Sequence, residues 1–103
     1  MQTHTRKQLT VICEAPVASR VTRLLDAVPV SGYTVLPALS GSGSEGEWSR
    51  EGLVGDFGRM VVIVSVMSAE QADKALELIH ETIEPQMGIV TMSDVEVLRA
   101  ERF

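Results

Sequence analysis

Apolar and polar residues alternate from Leu9 to Glu14. Leu9, Val11 and Cys13 share one side and Thr10, Ile12 and Glu14 the other, the period of a strand with one well-buried face. Pro16 suits the first turn of a helix, where its missing N–H leaves no bond unmade. Val17, Val21, Leu24, Leu25 and Val28 follow at helical spacing as one stripe, with Arg20, Arg23 and Asp26 turned away from it. Pro29 and Gly32 end that helix. A second strand is expected from about Tyr33 to Leu39 and a third from Met60 to Met67. Ser68-Ala69-Glu70-Gln71 has the Ser-x-x-Gln pattern of a capping box and opens a second helix. Its buried stripe is read as Ala72, Ala75, Leu76, Ile79 and Ile83, and Pro85 stops it near Glu84. A last strand, or a pair of strands, covers Gly88 to Met92 and Val95 to Leu98.

The order β-α-β-β-α-β predicts an α+β, ferredoxin-like fold: a four-stranded antiparallel sheet with both helices on one face. The 103 residues form one domain, with residues 1–7 as a polar N-terminal tail. Between strands two and three, residues 44–58 carry no hydrophobic period. So long a connection inside a small domain points to a binding loop or a lid. In strand three Val61, Val62, Ile63, Val64 and Val66 are apolar on both sides of the pleat, so the face away from the helices also needs a cover. One chain has nothing left to supply it. A sheet-to-sheet interface between copies is the expectation, with a ligand or a partner protein as the alternative covers.

Composition narrows the function classes. Hydrophobic residues make up 45% and aromatics 4%, so the core is built from Val, Leu, Ile, Ala and Met. A formal net charge of −5 argues against nucleic-acid binding, which needs a cationic footprint. The single cysteine, Cys13, lies inside an apolar run with no His or cation beside it and reads as a small buried hydrophobe. Met1 to Lys7 has no apolar segment of a signal peptide, and no run is long enough to span a bilayer, so a cytoplasmic protein is expected. His4 and His80 lie too far apart in sequence to suggest a metal pair. No G-x-S-x-G elbow is present, and the acid pairs Glu45/Glu47 and Asp94/Glu96 read as solubilising.

The stretch Gly32 to Gly43 concentrates what chemistry there is. Gly41 and Gly43 let main-chain amides approach a ligand, and Ser40, Ser42 and Ser44 add hydroxyls. Such a corner can cradle an anion in a nest of amides or serve as a plain hinge, and its spacing fits neither the Walker nor the Rossmann pattern. The loop beyond it holds Trp48, the only tryptophan, and Phe57, which either anchor a partner or pack back on the domain. Glu47 and Arg50 flank Trp48. Arg99 and Arg102 follow the last strand and either reach a phosphate at a subunit boundary or stand as ordinary exposed charges on a fraying tail. An alternative is a small isomerase or hydrolase on the same scaffold, using Glu45, Glu47 or Asp56 with the loop as lid.

Set side by side, the topology, the Gly32/Thr34/Val35 run, the Gly41/Gly43 corner, the Glu47/Arg50/Gly52 element and the Val-rich third strand resemble the PII signalling superfamily. More narrowly, they resemble the PII-like proteins, some of which are associated with carboxysomes or bicarbonate transport. The resemblance implies a non-enzymatic trimer whose sheets face inward, with an adenine nucleotide in each cleft between neighbours and no metal or catalytic residue. By it, Thr34 and Arg59, Met60 and Val61 lie near adenine and ribose. Ser40, Gly41 and Gly43, with Gln86 and Gly88 of the B-loop, face the phosphates, and Arg99 and Arg102 add charge. Residues 44–58 correspond to a T-loop, whose Glu47, Trp48, Arg50 and Phe57 would engage a partner protein, such as a bicarbonate transporter or a carboxysome component. Two departures matter. Glu84-Pro85-Gln86-Met87-Gly88 replaces the glycine- and lysine-bearing B-loop, which favours ADP or AMP over ATP. Tyr33 is the only tyrosine, so the T-loop tyrosine modified in typical PII proteins is missing, and bicarbonate as a further ligand is implied by the PII-like relatives alone.

Overall fold

A computed structural model describes residues 1–43, 46–49 and 59–103, with Gln86 described by its backbone alone. Four strands form the main sheet: β1 (His4–Glu14), β2 (Thr34–Pro37), β5 (Met60–Met67) and β6 (Gly88–Val97). Their order is β2-β5-β1-β6, and every neighbouring pair is antiparallel. Helices α1 (Ala15–Ala27) and α2 (Ala69–Thr82) pack on one face of this sheet and on each other. The expected ferredoxin-like arrangement is what the chain forms.

The core lies between that face and the helices. Leu9, Val11 and Cys13 of β1 meet Ile63 and Met67 of β5, closed over by Ala18, Val21 and Leu25 of α1 and Ala72, Ala75 and Ile79 of α2. α1 has its proline in the first turn, as expected. α2 carries the full capping box: Gln71 N donates to Ser68 Oγ at 3.2 Å and Ser68 N to Gln71 Oε1 at 3.2 Å. Along β5, Val61, Ile63, Ser65 and Met67 are buried against the helices, while Met60, Val62, Val64 and Val66 are half-buried on the other side. The strand is apolar on both faces, and among the described residues only one face is fully covered.

The structure changes some details of the sequence reading and decides one that it left open. β1 begins at His4, so residues 4–7, expected in a polar tail, are strand. β1 is central, and its ladder continues through Lys7, paired with Met67 on one side and Asp94 on the other, whatever the polarity of its side chains. The final segment is one unbroken strand, because β6 stays in register with β1 from His4↔Val97 to Cys13↔Gly88. Leu76 is 36% exposed: the stripe of α2 is centred on Ala72, Ala75 and Ile79, and Leu76 sits a hundred degrees round the helix from Ala75. Ile83, past the helix end as its cap, is buried at 7%.

The largest difference concerns strand two. β2 ends at Pro37, and the chain leaves the sheet after Ala38, whose N–H donates to Met60 O at 3.0 Å. It then builds a separate two-stranded ribbon from β3 (Ser40–Gly43) and β4 (Gly46–Ser49). The glycine-serine segment read as a corner is a strand, and four residues of the loop read as 44–58 pair with it. Gly46 opens β4 with φ of 101°, in the left-handed region that glycine reaches at low cost.

Candidate functional site

The uncovered face of the sheet has a defined order. Leu36, Val62, Ile12 and Ile89 stand in register across all four strands as one aliphatic row. Leu36 is 47% exposed and Ile89 61%. The next row is Thr34, Val64, Thr10 and Thr91, followed by Val66, Gln8 and Ser93. The face thus grades from apolar at the end where β1 leaves the sheet to polar at the end where it starts.

At the polar end the last residues fold back. After β6 a 3-10 turn, Ala100–Arg102, is tied down by Arg6 of β1: its Nε donates to Phe103 O at 3.0 Å and its Nη2 to Ala100 O at 3.3 Å. Arg102 and Phe103 thereby form one wall of a cleft of about 490 Å³, with Val64 to Val66 as its floor and Ser31 to Thr34 as the opposite wall. That second wall is fixed from beneath. Ser65 is buried within β5, and its hydroxyl donates to Gly32 O at 2.7 Å, holding the lead-in to β2 against the sheet. Pro29 O accepts from Gln71 Nε2 at 2.9 Å, which ties the same segment to α2.

Two predicted site residues, Thr34 and Arg102, therefore meet in one cleft although the whole fold separates them in sequence. Arg99 precedes the turn and does not line it; its carbonyl accepts from Arg102 N at 3.2 Å. Sequence reasoning missed Ser65, Arg6 and Phe103. Ser65 carried a readable signal as the one polar residue in a valine-rich strand. Arg6 carried none, because its segment read as a tail.

Arg59, Met60, Val61 and Gly88 lie at the other end of β5. Gly88 pairs with Cys13 and Met60 with Glu14; Arg59 O accepts from Ala15 N at 2.8 Å. A Cβ on Gly88 would stand 2.9 Å from Ile12 O, so the close approach of β6 to β1 requires glycine there. Val61, expected near the ligand, turns its side chain into the helix-covered core at 9% exposure, so only its backbone can take part. From Met60 to Val66 the strand rises about 20 Å. Within one chain, Met60 and Gly88 stand at one end of the sheet and the cleft over Val64–Val66 toward the other.

The ribbon decides one alternative. Trp48 is the cross-strand partner of Gly41, and its half-buried indole rests directly on the glycine: a Cβ there would lie 2.8 Å from indole Cε2. Residues 40–43 are extended, so their amides alternate in direction rather than converging as a nest requires. Glu47, the one described carboxylate of the enzyme alternative, is exposed on β4. Arg50 and Phe57, with Glu45 and Asp56, lie outside the described residues. Burial pushes the Cys13 thiol up to about 11, and the charge of Glu14 adds to the rise, which removes it as a nucleophile. Among the described residues no three His, Cys, Asp or Glu side chains gather as a metal site, and no helix is long and apolar enough to cross a membrane.

The sequence and the structure were compared with known proteins. The family description "Nitrogen regulatory protein P-II" matches residues 6–102. CPII, a nitrogen regulatory PII-like protein from Thiomonas intermedia K12 solved bound to ADP, AMP and bicarbonate, superposes with a TM-score of 0.88 at 28% identity, over 99% of this chain and 96% of that one. A putative PII-like signaling protein from Thermus thermophilus gives 0.80 at 26% identity, over 100% and 99% of the two chains. The B. subtilis GlnK–ATP complex gives 0.55 at 13% identity, over 92% and 85%, a likeness of fold alone. No curated protein matches.

Proposed function

Because this chain belongs to the nitrogen regulatory protein P-II family, we propose that it is a non-enzymatic regulator that binds an adenine nucleotide, ADP or AMP, in the clefts between the copies of a homotrimer. The observation that carries the reading is the cleft in which Thr34, the Val64–Val66 floor, Arg102 and Phe103 come together. An apolar floor between a hydroxyl-bearing wall and a guanidinium suits a base and ribose with an anionic group beyond them. Of the proposed phosphate-side residues, Gly88 lies beside Cys13, toward the other end of the sheet from that cleft, and Gly41 and Gly43 lie on the separate ribbon and do not line it. A neighbouring copy supplies them. The aliphatic row Leu36-Val62-Ile12-Ile89 is the surface such a neighbour would cover.

The ligand class draws support from CPII, which was solved with ADP, AMP and bicarbonate. The segment 84–88 offers no lysine to a γ-phosphate, which favours the shorter nucleotides. In this reading the ligand stabilises one arrangement of residues 44–58, with Glu47, Trp48, Arg50 and Phe57 presented to, or withheld from, a cytoplasmic partner protein. A bicarbonate transporter or a carboxysome component is the partner class we propose, with bicarbonate as second ligand. Isothermal titration with AMP, ADP, ATP and cAMP, each with and without bicarbonate, tests it. Binding of ADP or AMP at one site per protomer, with ATP weaker, is expected; no heat with any nucleotide would overturn the reading.

A further inference from the structure

We propose that Arg6 is a positioning residue for the nucleotide cleft, acting on the ligand only through the terminal turn that carries Arg102 and Phe103; the inference rests on the nucleotide reading above. The turn Ala100–Arg102 has few anchors of its own. Its internal bonds are two long ones, Arg102 N to Arg99 O at 3.2 Å and Phe103 N to Ala100 O at 3.2 Å, and its residues are half-buried or exposed. So short a turn does not hold itself together in water. What seats it on the sheet is the fork of Arg6, whose Nε and Nη2 reach two carbonyls three residues apart, while Nη1 donates to Thr5 O at 2.8 Å and fixes the guanidinium plane. Arg6 is rooted in the central strand opposite Val95 of β6, one residue before Lys7, where β5 joins the ladder as well. A rigid strand thus presents a planar two-pronged donor to a weakly held turn.

The consequence lies one residue away from each contact. Arg102 sits between the two carbonyls that Arg6 holds, so docking the turn fixes where the Arg102 guanidinium can go: toward Thr34 and Val64 across the cleft. Arg6 does not itself line that cleft. When the turn is released, Arg102 and Phe103 leave the wall, and the ligand must bind a chain whose competent form is only a fraction of the population. The apparent dissociation constant rises by the inverse of that fraction.

The test is a double-mutant cycle in the full chain with R6Q and R102Q, read by ADP titration, with amide exchange at residues 100–103 of the unliganded protein measured alongside. R6Q alone is expected to weaken ADP binding roughly tenfold, as for a turn docked a tenth of the time. In the R102Q background it should cost clearly less, because one of the two wall residues that Arg6 positions is already removed and only the placement of Phe103 is left to lose. R6K keeps the charge but not the fork and should recover only part of the loss. Exchange at 100–103 should rise in R6Q with the oligomer mass unchanged. Additive losses in the cycle, or unchanged exchange in R6Q, would overturn the proposal. Should the wild-type chain show no ADP binding, the nucleotide reading and the role of Arg6 in it both fall, and a raised exchange in R6Q would then mark a turn that is seated for some other purpose.

Discussion

Replacing Ile89 by Glu separates a lone sheet from an assembled one. Ile89 is 61% exposed on β6, at the outer end of the row it forms with Ile12, Val62 and Leu36. In a monomer the substitution falls on open surface and changes stability by no more than about 0.5 kcal/mol. In an assembly that covers this face, burying the exposed part of the isoleucine contributes about 1–2 kcal/mol per protomer, or about 3–6 kcal/mol over three copies. Truncation to Ala would remove most of that, weakening association by roughly two to four powers of ten. Glu adds the cost of dehydrating a carboxylate against aliphatic neighbours, several further kcal/mol per copy. The assay is solution mass by light scattering over a dilution series, with circular dichroism to check the fold. The wild type should keep a trimer's mass, I89A should dissociate on dilution, and I89E should be a folded monomer that has lost nucleotide binding. An I89E protein that stays trimeric at low micromolar concentration would refute the argument that this face is the interface.

Three further outcomes follow from individual contacts. S68A removes half of the capping box of α2 and should cost about 1 kcal/mol, lowering the melting temperature by roughly 4–8 °C; an unchanged melting curve would show that the cap is energetically idle. G41V drives a side chain into the Trp48 indole, so the tryptophan emission should move to longer wavelength as the ring is pushed into water, and an unaltered spectrum would mean that the indole does not rest on Gly41. Cys13 should resist thiol reagents at pH 8 until the chain unfolds. Its folded pKa, raised to about 11, lies above its unfolded value near 9, so the native state holds its proton longer. Stability is therefore intact below pH 9 and falls as the pH climbs toward 11, by up to roughly 2–3 kcal/mol. C13A should flatten that decline; if the slope survives the substitution, another group is responsible.

The sequence by itself determined the elements and their sides. Alternation in Leu9–Glu14 and Met60–Met67, the helical stripe through Val21 and Leu25, and the Ser68/Gln71 cap are local patterns of side-chain period and backbone capping, and each appears where the pattern put it. The two apolar faces of β5 were readable for the same reason. Tertiary structure decided what depends on a partner strand: His4 to Lys7 are strand because β6 pairs with all four, and Ser40 to Gly43 are strand because Trp48 crosses over Gly41. It also decided that Val61 turns into the core while Thr34 and Arg102 share a cleft, and that Arg6 holds the end of the chain. Contacts between residues so distant in sequence leave no periodic trace; they exist only once the sheet has set which residues stand opposite one another.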